Sequence, residues 1–205
     1  MRKTGASILF LLIFLPVLLF AQENDDDPSV EPDWEIIEME LYAPGDQTFI
    51  ISLGTVFPAV FVNNGKVIEH NFSPPVGGTG ALSYNYYLTS KIFAGVEISG
   101  MFIPTLGKNT AYLIPIGVRA GYQLILWRFE FPLTVTLGMA WHNYLNYGYY
   151  GLYIKGGAAV FYRFNSEWSF GLNAEWSWLP EWTKERRKNV DGNIINVLLS
   201  ARYHF

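Results

Sequence analysis

Four ionisable side chains stand where the surrounding pattern offers mostly Gly, Ser, Thr and Asn: Glu97, Arg119, Lys155 and Glu175. Their types allow two ion pairs, Glu97–Arg119 and Lys155–Glu175, and a carboxylate held beside a cation can also gate a narrow passage. The histidines offer less. His70, His142 and His204 are far apart in the chain and none belongs to a compact His-x-Ser arrangement. A histidine needs an oriented partner to act as a base, so the expectation is no catalytic residue and no enzyme activity. With 0 cysteines, disulfides, thiolate metal sites and thiol acylation are excluded, and neither a metal site nor a cofactor is predicted. A further cluster, Lys184-Glu185-Arg186-Arg187-Lys188, gathers four bases around one acid at the tip of a predicted loop. It is either a solvated loop or a contact for phosphate or sulfate groups.

The elements that position these residues show themselves as alternation. From residue 46 onward, eight segments of about 10 to 15 residues alternate apolar and polar with period two. In one, Gly80, Leu82, Tyr84, Tyr86 and Leu88 alternate with Ala81, Ser83, Asn85 and Tyr87. In the next, Ile92, Ala94, Val96, Ile98 and Phe102 oppose Gly95, Glu97 and Ser99. Then Ile114, Ile116, Val118, Ala120 and Tyr122 oppose Gly117, Arg119, Gly121 and Gln123. Lys155, Glu175, Arg202 and His204 fall on the polar face of later segments. A soluble barrel or sandwich puts its apolar face inside, which would bury four charges here and expose rows of Leu, Val and Trp. A membrane reverses the requirement. The predicted fold is therefore all-β, a transmembrane antiparallel up-and-down barrel of eight strands over residues 46–205. The four charges fall near mid-height on adjacent strands in pairs, where they would form the narrowest ring of the lumen. Inward Gly117, Gly121, Gly138, Gly157 and Gly171 are read as leaving space there.

The connections alternate too. Thr89-Ser90-Lys91, Trp127-Arg128 and Asn165-Ser166-Glu167 are tight, while 63–76, 104–111, 143–150 and 179–192 are longer. Short turns on the periplasmic side and longer external loops are usual for such barrels, which predicts periplasmic termini. Aromatic residues make up 17% of the chain; Trp176, Trp178, Trp182, Tyr147, Tyr149 and Tyr150 are read as an interfacial girdle.

The chain before residue 46 is different. Arg2 and Lys3 precede an apolar run, Ile8 to Phe20, of 13 residues, followed by Ala21 and Gln22. The run is shorter than the ~20 residues a membrane helix needs, so residues 1–21 are predicted to be a cleaved signal peptide. Residues 22–45 hold nine acids and no base, while residues 46–205 hold nine acids and twelve bases. The acidic stretch is predicted to be a partly disordered periplasmic segment, with Trp34–Tyr42 as a short element near the barrel mouth. Strong basicity is absent and nucleic acid is not an expected partner.

The last residues, Val197-Leu198-Leu199-Ser200-Ala201-Arg202-Tyr203-His204-Phe205, resemble the terminal strand of bacterial outer-membrane proteins. In those families a terminal Phe with an aromatic two residues earlier is read by the barrel-assembly machinery, which assigns that role to Tyr203 and Phe205. Size, signal and strand number are similar to small barrels of the OmpW/OmpA type over residues 46–205. The resemblance implies an integral protein of the bacterial outer membrane, with lipid and the assembly machinery as partners. It also implies a narrow channel or diffusion route for small, hydrophobic solutes. The alternative is a non-transporting surface anchor whose loops, Lys184, Arg186, Arg187 and Lys188 among them, bind host or surface-lipid molecules.

Overall fold

A computed structural model describes residues 42–205 except 64, 69–71, 73, 106–108, 145–146 and 182–188. The predicted signal peptide, nearly all of the acidic segment, His70 and the loop bases Lys184, Arg186, Arg187 and Lys188 lie outside the described residues.

Nine strands follow one another: β1 (Gln47–Asn63), β2 (Lys66–Ile68), β3 (Gly77–Tyr87), β4 (Ile92–Thr105), β5 (Asn109–Leu126), β6 (Phe129–Tyr144), β7 (Tyr147–Arg163), β8 (Trp168–Glu181) and β9 (Val190–His204). All but β2 form a single antiparallel ring, closed by β1 pairing with β9 from Thr48–His204 to Asn63–Val190. The short β2 is a hairpin added to the far end of β1. Closure gives each of the eight long strands a paired neighbour on both sides, as hydrocarbon demands. One irregularity interrupts the seam, a register shift between Pro58 and Val60, where proline cannot donate to the ladder.

Alternation decides which face each side chain occupies. Leu199 is 71% exposed and Val118 63%, while Glu97 is 4% and Lys155 2% exposed. That polarity is inverted relative to a water-soluble protein, so the outer face is a lipid-facing band. The tight turns lie at the end that also holds both ends of the barrel, here called the turn end; the opposite end is the loop end. Trp127, in the two-residue β5–β6 turn, takes φ 55, a left-handed conformation uncommon for a bulky residue. Its ring is 67% exposed, placed as an interfacial anchor would be.

Two of the five inward glycines do not leave space. Gly121 lies directly opposite Phe93, and Gly171 opposite Phe161. Each aromatic ring lies over its glycine so closely that a Cβ at Gly171 would meet Phe161 at 2.7 Å. Glycine opposite an aromatic lets the ring lie flat against the wall and fill the lumen. The polar-lumen expectation also changes with height. The turn-end half carries buried charges beside an aromatic cluster of Tyr42, Tyr87 and Phe93, whereas inward positions of the loop-end half form an apolar cluster of Val56, Met101, Ile103, Leu113, Ala140, Tyr153 and Ile194.

Candidate functional site

At mid-height the four charges meet. Arg119 Nη1 lies 3.2 Å from Glu97 Oε2, and Lys155 Nζ lies 3.0 Å from Glu175 Oε1. These are not two separate pairs. Lys155, on β7, also reaches Glu97 on β4, and that contact crosses the lumen and joins all four into one chain of alternating charge. Ser83 Oγ adds a hydrogen bond to Glu97 Oε2 at 3.2 Å. Register explains the reach: Glu97 is opposite Gly117, Arg119 opposite Gly95, and Glu175 opposite Gly157. These three side chains thus each have a neighbour without a Cβ, while Lys155 lies between Thr136 and Ser177. The sequence-level pairing of adjacent strands contains no information about the contact across the barrel.

A second closure lies toward the turn end. Arg202 Nη1 on β9 lies 2.6 Å from Glu130 Oε2 on β6, also across the lumen. Gln123 Nε2 donates to the same oxygen at 3.0 Å, and the Arg202 guanidinium sits 3.7 Å from the centre of the Phe161 ring. Tyr42 OH donates to Glu130 Oε2 at 2.7 Å and its ring stacks on Tyr87 at 3.8 Å. Burial pushes the Tyr42 phenol well above its ordinary range, against the pull of Arg202, so it stays a donor. Glu130 escaped the reading of the sequence because it sits directly after a turn. The period-two rule that places Thr134 and Thr136 inside places Glu130 inside as well.

Near the same end Ser169 Oγ lies 2.7 Å from His204 Nε2. The serine–histidine contact, which spacing did not reveal, arises because β8 and β9 are neighbours. Nδ1 of His204 faces Tyr42 OH and Arg163 Nη2, each at 3.3 Å, rather than a carboxylate, and Ser169 is buried at 0% exposure. Among the described residues no group of three or more His, Asp or Glu could hold a metal.

Above the mid-height bridge the lumen opens into an apolar pocket. Met101, Ile103, Leu113, Ala140 and Ile194 line it. Tyr153 belongs to the same apolar cluster, with its hydroxyl 3.2 Å from Ser177 Oγ. At the rim His142 Nδ1 on β6 lies 2.8 Å from Glu181 Oε1 on β8, so the pair spans β7. The ladder between β7 and β8 is incomplete at this place. Among the described residues the β7–β8 ladder stops at Ile154–Trp178, although β7 pairs with β6 up to Tyr147 and β8 with β9 up to Glu181. Pro180, in the unpaired stretch, has no N–H to give to β7. Leu152, Leu179 and Pro180 beside this seam also line the pocket.

One protein-family model matches residues 23–203. The chain belongs to that family. An uncharacterized protein of Treponema pallidum (strain Nichols) is 26% identical over 188 residues, covering 79% of this chain. The chain matches 65% of that relative's own length. Among solved structures, Neisserial surface protein A superposes with a TM-score of 0.56 at 10% identity, over 78% of this chain and 97% of that one. OprG of Pseudomonas aeruginosa gives 0.51 at 11% identity, over 80% and 97%. At such identity the likeness is one of fold, and the fold is that of the small eight-stranded outer-membrane barrels. At the C-terminus, Tyr203 and Phe205 pack edge to face with centroids 4.9 Å apart, and Phe205 is 67% exposed on the lipid-facing side.

Proposed function

We propose that this protein takes small apolar solutes into the loop-end half of its lumen and releases them sideways into the membrane along the β7–β8 seam. The observation that carries the reading is an apolar pocket in the loop-end half of a lumen whose mid-height is closed by a bridge of charges. A solute entering at the loop end meets Met101, Ile103, Leu113 and Ile194, then a floor where two carboxylates and two cations already satisfy one another. Moving an apolar molecule through that bridge would separate buried charges, whereas beside Pro180 no ladder pairing joins β7 to β8 among the described residues. In this reading the barrel sits in the outer membrane with loops outward, the termini are periplasmic, residues 1–21 are removed on export, and Tyr203 and Phe205 address the assembly machinery.

The protein is not an enzyme in this proposal. Ser169 and His204 are buried, and the imidazole lacks a carboxylate to orient it. The anchor alternative rests on Lys184, Arg186, Arg187 and Lys188; the pocket gives it no support.

A photoactivatable diazirine alkane tests the reading on the refolded barrel in lipid vesicles. Crosslinks should map to Met101, Leu113 and Ile194, decline with excess octane, and vanish when Ile103 and Leu113 are both changed to Asn. Crosslinks confined to lipid-facing positions such as Val118 and Leu199 would overturn it.

A further inference from the structure

The chain enters β1 through a tight reversal. Asp46 N donates to Ala43 O at 3.1 Å across Pro44 and Gly45, and Gly45 takes φ +106. Proline second and a positive-φ glycine third define a type II turn. Asp46 Oδ2 reinforces it by accepting from Ala43 N at 2.8 Å. The turn is fastened to the wall where Gly45 N donates to Tyr87 O at 2.9 Å and Tyr87 N to Asp46 O at 2.8 Å. The side chain just before the turn is thereby returned into the barrel: Tyr42 is 3% exposed although it precedes every strand.

Inside, Tyr42 covers the turn-end charges. Its ring lies nearly parallel to Tyr87 at 7°, its hydroxyl donates to Glu130, and Arg202 Nη1 donates back to that hydroxyl at 3.1 Å. Arg163 stands 5.2 Å from the ring centre on another side. A strand residue at this place could leave only by breaking ladder hydrogen bonds on both flanks. Tyr42 belongs to no ladder among the described residues, and its withdrawal breaks its ring contacts with Tyr87, His204 and Arg163 and a few side-chain hydrogen bonds.

We propose that Tyr42 is a detachable stopper for the turn end of the lumen, aimed by the Ala43–Asp46 turn, whose withdrawal admits solvent to the Glu130–Arg202 bridge while the barrel wall stays closed. The device concerns the opposite end of the lumen from the solute pocket and does not depend on what that pocket takes.

The chain's lack of cysteine makes the test direct. Ser169→Cys places one thiol beside His204 behind the stopper, and Ala140→Cys places one in the loop-end pocket as a control. Both are introduced into the full chain refolded in detergent, with folding checked by heat-dependent gel mobility, and are treated with a small methanethiosulfonate. Adding Tyr42→Ala should speed labelling at position 169 about tenfold or more, the factor that a loss of about 1.4 kcal/mol of closure produces. Labelling at position 140 should not change. Gly45→Ala, which keeps every lumenal side chain but strains the turn, should act in the same direction and decides the matter if Tyr42→Ala does not fold. Unchanged labelling at 169 in the folded variants, or parallel acceleration at 140, would overturn the proposal.

Discussion

The two halves of the lumen share one wall and one rule of alternation, yet they differ in almost everything the rule delivers inward. Toward the turn end, Glu97, Arg119, Lys155, Glu130 and Arg202 are buried and, with the half-buried Glu175, cross-linked, with Phe93 and Phe161 pressed over glycines. Toward the loop end, the inward row becomes Val56, Met101, Ile103, Leu113 and Ile194, around open space. The difference shows that a barrel interior is not polar by construction. Lipid constrains only the outward row; the inward row is free to be a filled ionic plug at one height and an apolar receptacle at another.

The largest expected effect comes from the plug. Lys155→Ala removes the cation shared by Glu97 and Glu175 and should cost about 3–5 kcal/mol in urea unfolding from lipid. Arg119→Ala should cost less, because Glu97 keeps Lys155 and Ser83. Changing Glu97 and Lys155 together to Gln should recover part of the larger loss, and a coupling energy near zero in that cycle would show the plug to be wet and the contrast between halves to be false.

Packing should separate the halves next. Phe161→Ala uncovers Gly171 and unseats Arg202, at a cost of about 3–5 kcal/mol, whereas Leu113→Ala borders space already open and should stay at or below about 2 kcal/mol. Equal losses at the two positions would mean that the loop-end half is an ordinary core.

Conductance sharpens the comparison further. Lys155→Ala with Glu175→Ala opens only one of two closures in series, so planar bilayers should remain nearly silent. Adding Tyr42→Ala and Arg202→Ala should bring a measurable current, and a current from the first pair alone would show that the turn-end bridge does not seal.

The smallest effect is expected outside both halves. Changing Lys184, Arg186, Arg187 and Lys188 together to Gln should alter stability by no more than about 0.5 kcal/mol and leave alkane crosslinking unchanged. If crosslinking is absent throughout and a surface partner instead loses affinity as salt rises, the anchor reading replaces the solute reading.

Period two is a local property, so the sequence by itself determined the barrel, the outward rows and the inward place of Glu97, Arg119, Lys155 and Glu175. Extending the same parity past the segments' clear centres also reaches Glu130, Met101, Ile103 and Leu113, so those were legible though not read. Contacts between strands that are not neighbours were a different matter. That Lys155 meets Glu97 and Arg202 meets Glu130 depends on closure, which brings together residues 58 and 72 positions apart, whereas His204 touches Ser169, 35 positions away, through the register of two neighbouring strands. The glycines show the same division: their inward parity was local, but whether they left a channel depended on the rings of Phe93 and Phe161 across the ladder. The Ala43-Pro44-Gly45-Asp46 turn was written in the chain, and only the closed barrel gave Tyr42 a lumen to enter.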